Sequence, residues 1–320
     1  MDNLDKGKNK VCVDCGSKYC PCHLAFSGEC IKCSLIRGEK TCDCSWQGVC
    51  VYNEVQHNKN QILNNRKEHV CEILEKREIE EDIFLAKIKI PNTLAIELNV
   101  VGAYVLLKAI NRDSSIYNAP ISVMDIDKEN NILEIIIKSR GIKTKTLLDF
   151  NEIIVKGPYF NGIFGVDKIK KIKQSNCIVI LGGLSQVNSI NVVKKLLDNN
   201  NSVEVFFNKN LTILDEVKEK LNNLGVNIHI IDIEEDKDFI TDYIKRNDVK
   251  LVYSGGNNTF NKCMRNLVDS VDKDIALSIA NNNLICCGEG ICGACTVNVN
   301  GERIKSCKAQ INSRDFLRIM

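Results

Sequence analysis

Seventeen cysteines crowded toward the two ends of a 320-residue chain constrain this sequence more than any other feature. Nine lie between Cys12 and Cys50, five between Cys286 and Cys307, and only Cys71, Cys177 and Cys263 lie between the two groups. Residues 1–10 are charged and lack the apolar stretch of a secretory signal, so a cytoplasmic, reducing setting is expected. In that setting thiolates at short spacings are expected to bind metal, whereas a secreted mini-protein of the same density would pair them as disulfides.

The carboxy-terminal group reads Cys287-Gly-Glu-Gly-Ile-Cys292-Gly-Ala-Cys295 and then Cys307, with gaps of four, two and eleven residues. This is the plant-type pattern of a [2Fe-2S] cluster, with Cys287, Cys292, Cys295 and Cys307 as ligands. Gly288, Gly290 and Gly293 allow the loop to turn tightly and bring backbone N–H groups toward the cluster. Asn300-Gly301 predicts a hairpin that carries Cys307 back to the site. A four-cysteine zinc site and a plain turn with reduced thiols compete, but three interleaved glycines suit the binuclear cluster better. Cys286 is read as a spare thiol.

The amino-terminal group contains Cys12-x2-Cys15, Cys20-Pro21-Cys22, Cys30-x2-Cys33, Cys42-Asp43-Cys44 and Cys50. The two C-x2-C pairs have zinc-ribbon spacing and nominate Cys12, Cys15, Cys30 and Cys33 as ligands. Thiolate count does not separate zinc from an additional iron-sulfur centre. Residues 1–55 hold few large aliphatics, so metal is expected to staple this small domain.

Residues 69–167 carry short β-type runs at about ten-residue intervals, bounded by Gly and Asn. They are Phe84–Ile90, Ala95–Val100, Tyr104–Ile110, Ile121–Ile126, Ile132–Lys138 and Ile153–Lys156, and six such strands predict a small antiparallel barrel. Residues 56–68 read as a polar linker. Over 172–280 apolar strands at Cys177–Leu181, Val203–Phe207, Val226–Ile231 and Val249–Ser254 alternate with helical stretches, the pattern of a parallel α/β sheet. Residues 281–320 form the cysteine-rich tail.

Barrel, α/β unit and cluster loop in that order resemble the electron-transfer subunit of the two-subunit dihydroorotate dehydrogenases, within the ferredoxin-NADP reductase superfamily. The resemblance spans residues 70–310 and implies a flavin-binding barrel followed by a nucleotide-binding-like domain. Val101-Gly102-Ala103-Tyr104-Val105, Ala119-Pro120-Ile121-Ser122 and Lys143-Thr144 stand where that family builds its FAD site, with Ile136-Ile137-Lys138 on its second flavin-contacting strand. The family's Arg is Ala119 here and its Gly is Lys143. Pro120, Ile121, Ser122, Ile136, Ile137, Lys138, Lys143 and Thr144 are thus the candidate FAD residues. Gly182-Gly183, between a strand and a helix, is the candidate pyrophosphate turn for NAD(P). A later Gly255-Gly256-Asn257 lacks the family's Cys and Pro, and NAD(P) binding is left open.

The expected function is an electron-transfer flavin and iron-sulfur oxidoreductase subunit. It would pass electrons between a [2Fe-2S] cluster, FAD and NAD(P)H or a partner flavoprotein such as a dihydroorotate dehydrogenase catalytic subunit. The alternative is a non-catalytic redox or zinc-dependent adaptor that keeps the fold without NAD(P). A formal net charge of +2 gives no single-sign field for nucleic acid, and no apolar run is long enough to cross a bilayer. With four His and no partner that spacing brings near, hydrolytic chemistry is disfavoured.

Overall fold

A computed structural model describes residues 11–44, 48–59, 61, 66–110 and 118–320. Residues 1–10 and 45–47 of the expected amino-terminal domain lie outside the described residues, as does part of the expected linker. The described chain begins with a two-residue strand, β1 (Val11–Cys12), then thiol-bearing turns and two short helices, His23–Phe26 and Val51–His57.

Six strands then close a barrel: β2 (Glu68–Glu80), β3 (Ile83–Lys89), β4 (Tyr104–Ala109), β5 (Ala119–Asp127), β6 (Ile132–Lys138) and β7 (Glu152–Tyr159). Their order is β2-β3-β6-β5-β4-β7, antiparallel throughout, and closure leaves no free edge. Inward residues such as Ile88, Val105, Val123, Ile135 and Val155 fill it.

Two of the expectations for the barrel need correction. Ala95–Val100 is not a strand: Asn92–Leu98 is a helix that begins after Pro91 and buries Leu94, Ala95 and Leu98 on one face. The sixth strand is β2 instead, so the linker ends at its first residue. β2 is mostly charged and buries only Cys71 fully, and two register shifts against β3 break its alternation. That leaves little apolar periodicity to read.

Strands β8 (Ile163–Phe164), β9 (Asn176–Leu181), β10 (Ser202–Asn208), β11 (Asn227–Ile231), β12 (Val249–Gly255) and β13 (Ala276–Ala280) form the second sheet, in the order β11-β10-β9-β12-β13-β8. All pairs are parallel except β8 on β13. Residues 163–164, assigned to the barrel from sequence, therefore add a strand to the α/β sheet. The order reverses between β9 and β12, which opens a crevice at their carboxyl ends. Ile83, Leu85, Met124 and Ile136 of the barrel share one apolar core with Leu181, Val187 and Tyr253 of the α/β unit. Each side chain of this kind contributes about 1.5–3 kcal/mol when fully buried, so the two domains are packed together rather than loosely tethered.

The tail forms the expected hairpin of β14 (Thr296–Val299) and β15 (Glu302–Lys305), turning at Asn300 and Gly301, both with positive φ. Strand β16 (Ala309–Gln310) then pairs antiparallel with β1, so the two cysteine-rich regions lie side by side. No helix among the described residues is long and apolar enough to cross a membrane.

Candidate iron-sulfur and flavin site

The tail thiols fall into two neighbouring pairs, Cys295 with Cys307 and Cys287 with Cys292, and as their side chains are placed no three of them are grouped as around one ion. Cys295 and Cys307 place their sulfurs 3.1 Å apart and buried, and Cys287 acts electrostatically on Cys307 and hydrogen-bonds with Cys292. The hairpin brings Cys307 back beside Cys295, where the Ser306 N–H donates to the Cys295 carbonyl. The Glu289 N–H donates to the Cys287 sulfur at 3.3 Å. Partial burial alone would raise the Cys292 thiol, but the amides of Ala294 and Cys287 hold it below its ordinary value. Sharing a proton with Cys307 lowers the Cys295 thiol. Thiolates supported by backbone amides are the donor set a [2Fe-2S] cluster requires.

The glycines serve that loop. Gly288 has φ +68°, and a Cβ there would lie 2.5 Å from the Tyr159 ring, while a Cβ at Gly290 would meet Leu24 at 2.9 Å. The loop therefore lies flat against the barrel on one side and the amino-terminal unit on the other. Tyr104 and Tyr159 stack with ring centroids 5.1 Å apart and share an apolar cluster with Ile285, Cys295 and Cys307. The Tyr104 hydroxyl is buried without a hydrogen-bond partner. Burial, and then Cys307, push the phenol far above its ordinary pKa, so it remains a donor. An unsatisfied buried donor costs about 1–3 kcal/mol, which a sulfur acceptor at the cluster would offset. The residues fit the group.

The candidate flavin residues gather beside this loop. Ser122 pairs with Tyr104 across β5 and β4, which sets the strand one residue from the apolar wall shared with Cys295 and Cys307. Ile136 and Ile137 are buried, Ile121, Ser122, Lys138 and Thr144 half-buried, and Pro120 and Lys143 exposed. Lys143 lies near enough to Cys286 to oppose the burial that raises that thiol to about 11. Ile136 contributes to the core between the domains and Ile137 to the barrel interior, so neither is a free wall. Thr144 accepts from Arg140 and Gly141 N–H groups at 3.2 Å, and Thr146 donates to the Ile142 and Lys143 carbonyls. Both hydroxyls are engaged by their own helix, Ile142–Leu147. Ser122, Lys138 and Lys143 are the other polar groups of the set.

The glycine turn lies at the switch crevice, with the Gly182 N–H donating to the Gly255 carbonyl at 3.0 Å. A Cβ at Gly182 would meet Phe260 at 2.7 Å and Leu211 at 2.8 Å, and one at Gly256 would meet Phe260 at 2.1 Å. The phenyl ring thus occupies the space these glycines leave. Gly183–Asn188 is a 3-10 segment, fixed by buried Gln186, which donates to the Gly183 and Thr212 carbonyls and accepts from the Leu214 N–H.

A buried network that sequence reasoning missed joins the two cysteine-rich regions. Asp14, between Cys12 and Cys15, accepts from Lys308 Nζ at 2.5 Å and Arg66 Nη2 at 2.7 Å. Glu289, between Cys287 and Cys292, accepts from the same two residues at 2.6 and 3.2 Å. Burial opposes ionisation of Asp14, but Lys308 and Arg66 hold its carboxyl below the ordinary value. Arg66 also lies between the Tyr19 and Tyr159 rings, at 4.2 and 4.5 Å. The only sequence signal was the position of three of the charges within or next to thiol motifs.

In the amino-terminal unit Cys12, Cys15, Cys20, Cys22 and Cys30 line one small cavity, and Cys33 does not. Cys33 is packed with Cys30, Val51 and Val55. As their side chains are placed, no three His, Cys, Asp or Glu among the described residues are arranged to hold a metal ion.

A closed antiparallel barrel packed on a parallel sheet that reverses order at its centre defines a ferredoxin-reductase-type fold. A solved NADH-dependent reduced ferredoxin-NADP oxidoreductase, described in connection with flavin-based electron bifurcation, matches with TM-score 0.61 over 78% of this chain and 92% of its own, at 20% identity. Among curated proteins the chain is like dihydroorotate dehydrogenase electron transfer subunits. The subunit named Dihydroorotate dehydrogenase B (NAD(+)), electron transfer subunit, of Fusobacterium nucleatum is 25% identical over 70% of this chain and 87% of its own length. An uncharacterized protein of the adh 3' region of Clostridium beijerinckii is 26% identical over 72% of this chain and 80% of its own. No protein-family model matches the chain.

Proposed function

We propose that the chain is the electron-transfer component of a flavin and iron-sulfur oxidoreductase. Cys287, Cys292, Cys295 and Cys307 would hold a [2Fe-2S] cluster, and Ser122, Lys138 and Lys143 would supply the polar contacts of an FAD. When bound, these groups supply one- and two-electron redox chemistry between NAD(P)H or a partner flavoprotein and the final acceptor. The chain's residues position the two sites. The carrying observation is the single apolar cluster in which Tyr104, paired to Ser122, packs with Cys295 and Cys307. That packing supports a short path between the candidate flavin strand and the tail thiols.

A docking partner suits the outer face. Cys292 is exposed, and Ile291 and Leu284 of the same loop stand 61% and 69% exposed, an apolar rim around a cluster ligand. The test is the visible spectrum of protein purified without air. Flavin bands with thiolate-iron charge transfer and two irons held by the tail support the reading, and a protein without flavin or tail iron refutes it.

Phe260 in the switch crevice favours a second reading for the electron source, a partner protein instead of NAD(P)H. Anaerobic addition of NADH or NADPH separates the two, because only a competent nicotinamide site bleaches the flavin.

A further inference from the structure

The amino-terminal thiols are not used by the reading above, and their arrangement carries an inference of its own. The cavity among Cys12, Cys15, Cys20, Cys22 and Cys30 has a volume of about 10 Å³. That is room for a single ion or water. Its donors are all sulfur, the chemistry that selects thiophilic, tetrahedral metals.

We propose that this cavity is a site for one thiophilic divalent ion, Zn²⁺, held by Cys12, Cys15, Cys22 and Cys30, and that the loaded site fastens the amino-terminal unit to the cluster tail. Three of the four sulfurs are met by amides of their own turns: Cys12 by Asp14, Cys22 by Leu24 and Ala25, and Cys30 by Lys32 and Cys33. These amides favour the thiolate, but burial outweighs them and holds all three thiols above their ordinary pKa, so an ion must displace their protons. Cys15 has turned its sulfur toward Cys20, which serves as its hydrogen-bond donor. Cys15 already lines the cavity, and binding an ion would exchange its Cys20 hydrogen bond for a metal bond. Lys308 acts on Cys12 and Cys22, and Lys32 on Cys15, while the Asp14 carboxylate acts on Cys12 and Cys22 in the opposite sense. Cys33, the spacing-based fourth ligand, is replaced by Cys22.

The fastening follows from the path of the chain. The segment that carries two of the ligands also carries Asp14, pairs β1 with β16, and donates the Val13 N–H to the Lys308 carbonyl at 2.9 Å. Glu29, next to Cys30, faces Lys305 at 3.5 Å. An ion that ties Cys12 and Cys15 to Cys22 and Cys30 therefore holds both contact segments against the hairpin that bears Cys307.

The test uses the full chain, purified anaerobically, with zinc and iron counted per chain. One zinc is expected in the wild type, retained in Cys33→Ser and Cys20→Ser and lost in Cys22→Ser, with the tail iron unchanged. Equal zinc loss in Cys33→Ser and Cys22→Ser overturns the ligand set. No zinc, or amino-terminal iron in its place, overturns the site. Co²⁺ titration of zinc-stripped wild-type protein covers a poorly folding variant: a tetrahedral thiolate band saturating at one equivalent supports the site, and its absence refutes it. Stripping the zinc is expected to speed hydrogen exchange at Val13 at least tenfold, and unchanged exchange there refutes the fastening.

Discussion

Replacing Arg66 with Met tests whether the two ends of the chain are joined by charge. Arg66, Lys308, Asp14 and Glu289 form a neutral set of two cations and two anions, with Asp14 and Lys308 each 1% exposed. Met keeps the apolar stem between Tyr19 and Tyr159 but leaves two carboxylates to share one ammonium. It also removes the donor to the Pro158 carbonyl. Breaking a buried pair from one side costs about 3–5 kcal/mol. At 1.36 kcal/mol per tenfold, this is about a 10²–10⁴-fold rise in local opening of residues 11–44. Hydrogen exchange followed by mass spectrometry reads that factor directly, and β9 and β12 serve as internal controls. The pH dependence has a definite sign. The Asp14 carboxyl is held below its unfolded value, so its contribution is present above that value and lost as pH falls through the folded one. Without Arg66 the folded pKa rises, and acid release of the amino-terminal unit moves to higher pH. Less than tenfold faster exchange over 11–44, or an equal increase in the α/β sheet, would falsify the role assigned to Arg66.

Tyr104→Phe removes only the orphaned hydroxyl, so the barrel should stay intact while the tail cluster's reduction potential, read by anaerobic redox titration, falls; an unchanged potential counts against a donor at that site. Gly288→Ala places a Cβ 2.5 Å from Tyr159 at φ +68° and should lower iron retention by the tail without unfolding the α/β sheet, as elemental analysis and circular dichroism would report. Asp125 of the barrel pairs with Lys220 at 3.1 Å and with Lys194 of the α/β unit, and these lysines outweigh burial to hold its carboxyl low. Its contribution is therefore lost as pH falls through the folded value, and Asp125→Asn should cost about 1–3 kcal/mol above that pH in urea unfolding, with a smaller difference in acid.

Much of this architecture could be read from local chemistry. The tail hairpin followed from Asn300-Gly301, and the α/β unit from apolar strands alternating with helical stretches. Local pattern failed where neighbours decide the outcome. Strand β2 is specified by its partners β3 and β7 rather than by its own charged sequence. Asn92–Leu98 is too short for its helical spacing to stand out against the surrounding strands. The room beside the Gly182-Gly183 turn was not legible either, because no sequence rule places Phe260, nearly eighty residues on, next to it.

The junction of the chain's ends was the least legible feature, and its physics shows why. Lys308 meets Asp14 across 294 positions, and each of the four charged residues would pass for an ordinary surface residue by type. Burial of such groups is tolerated only when every one is paired, because any of them alone would be a large desolvation penalty. The same condition makes the junction selective: it forms only when the amino-terminal turn, residue 66, the cluster loop and the residue after Cys307 are all in place. Glu289 and Lys308 adjoin the tail thiols, and Asp14 lies inside the amino-terminal thiol pair. A disturbance of either thiol site must therefore reach the other through groups already in hydrogen-bond contact.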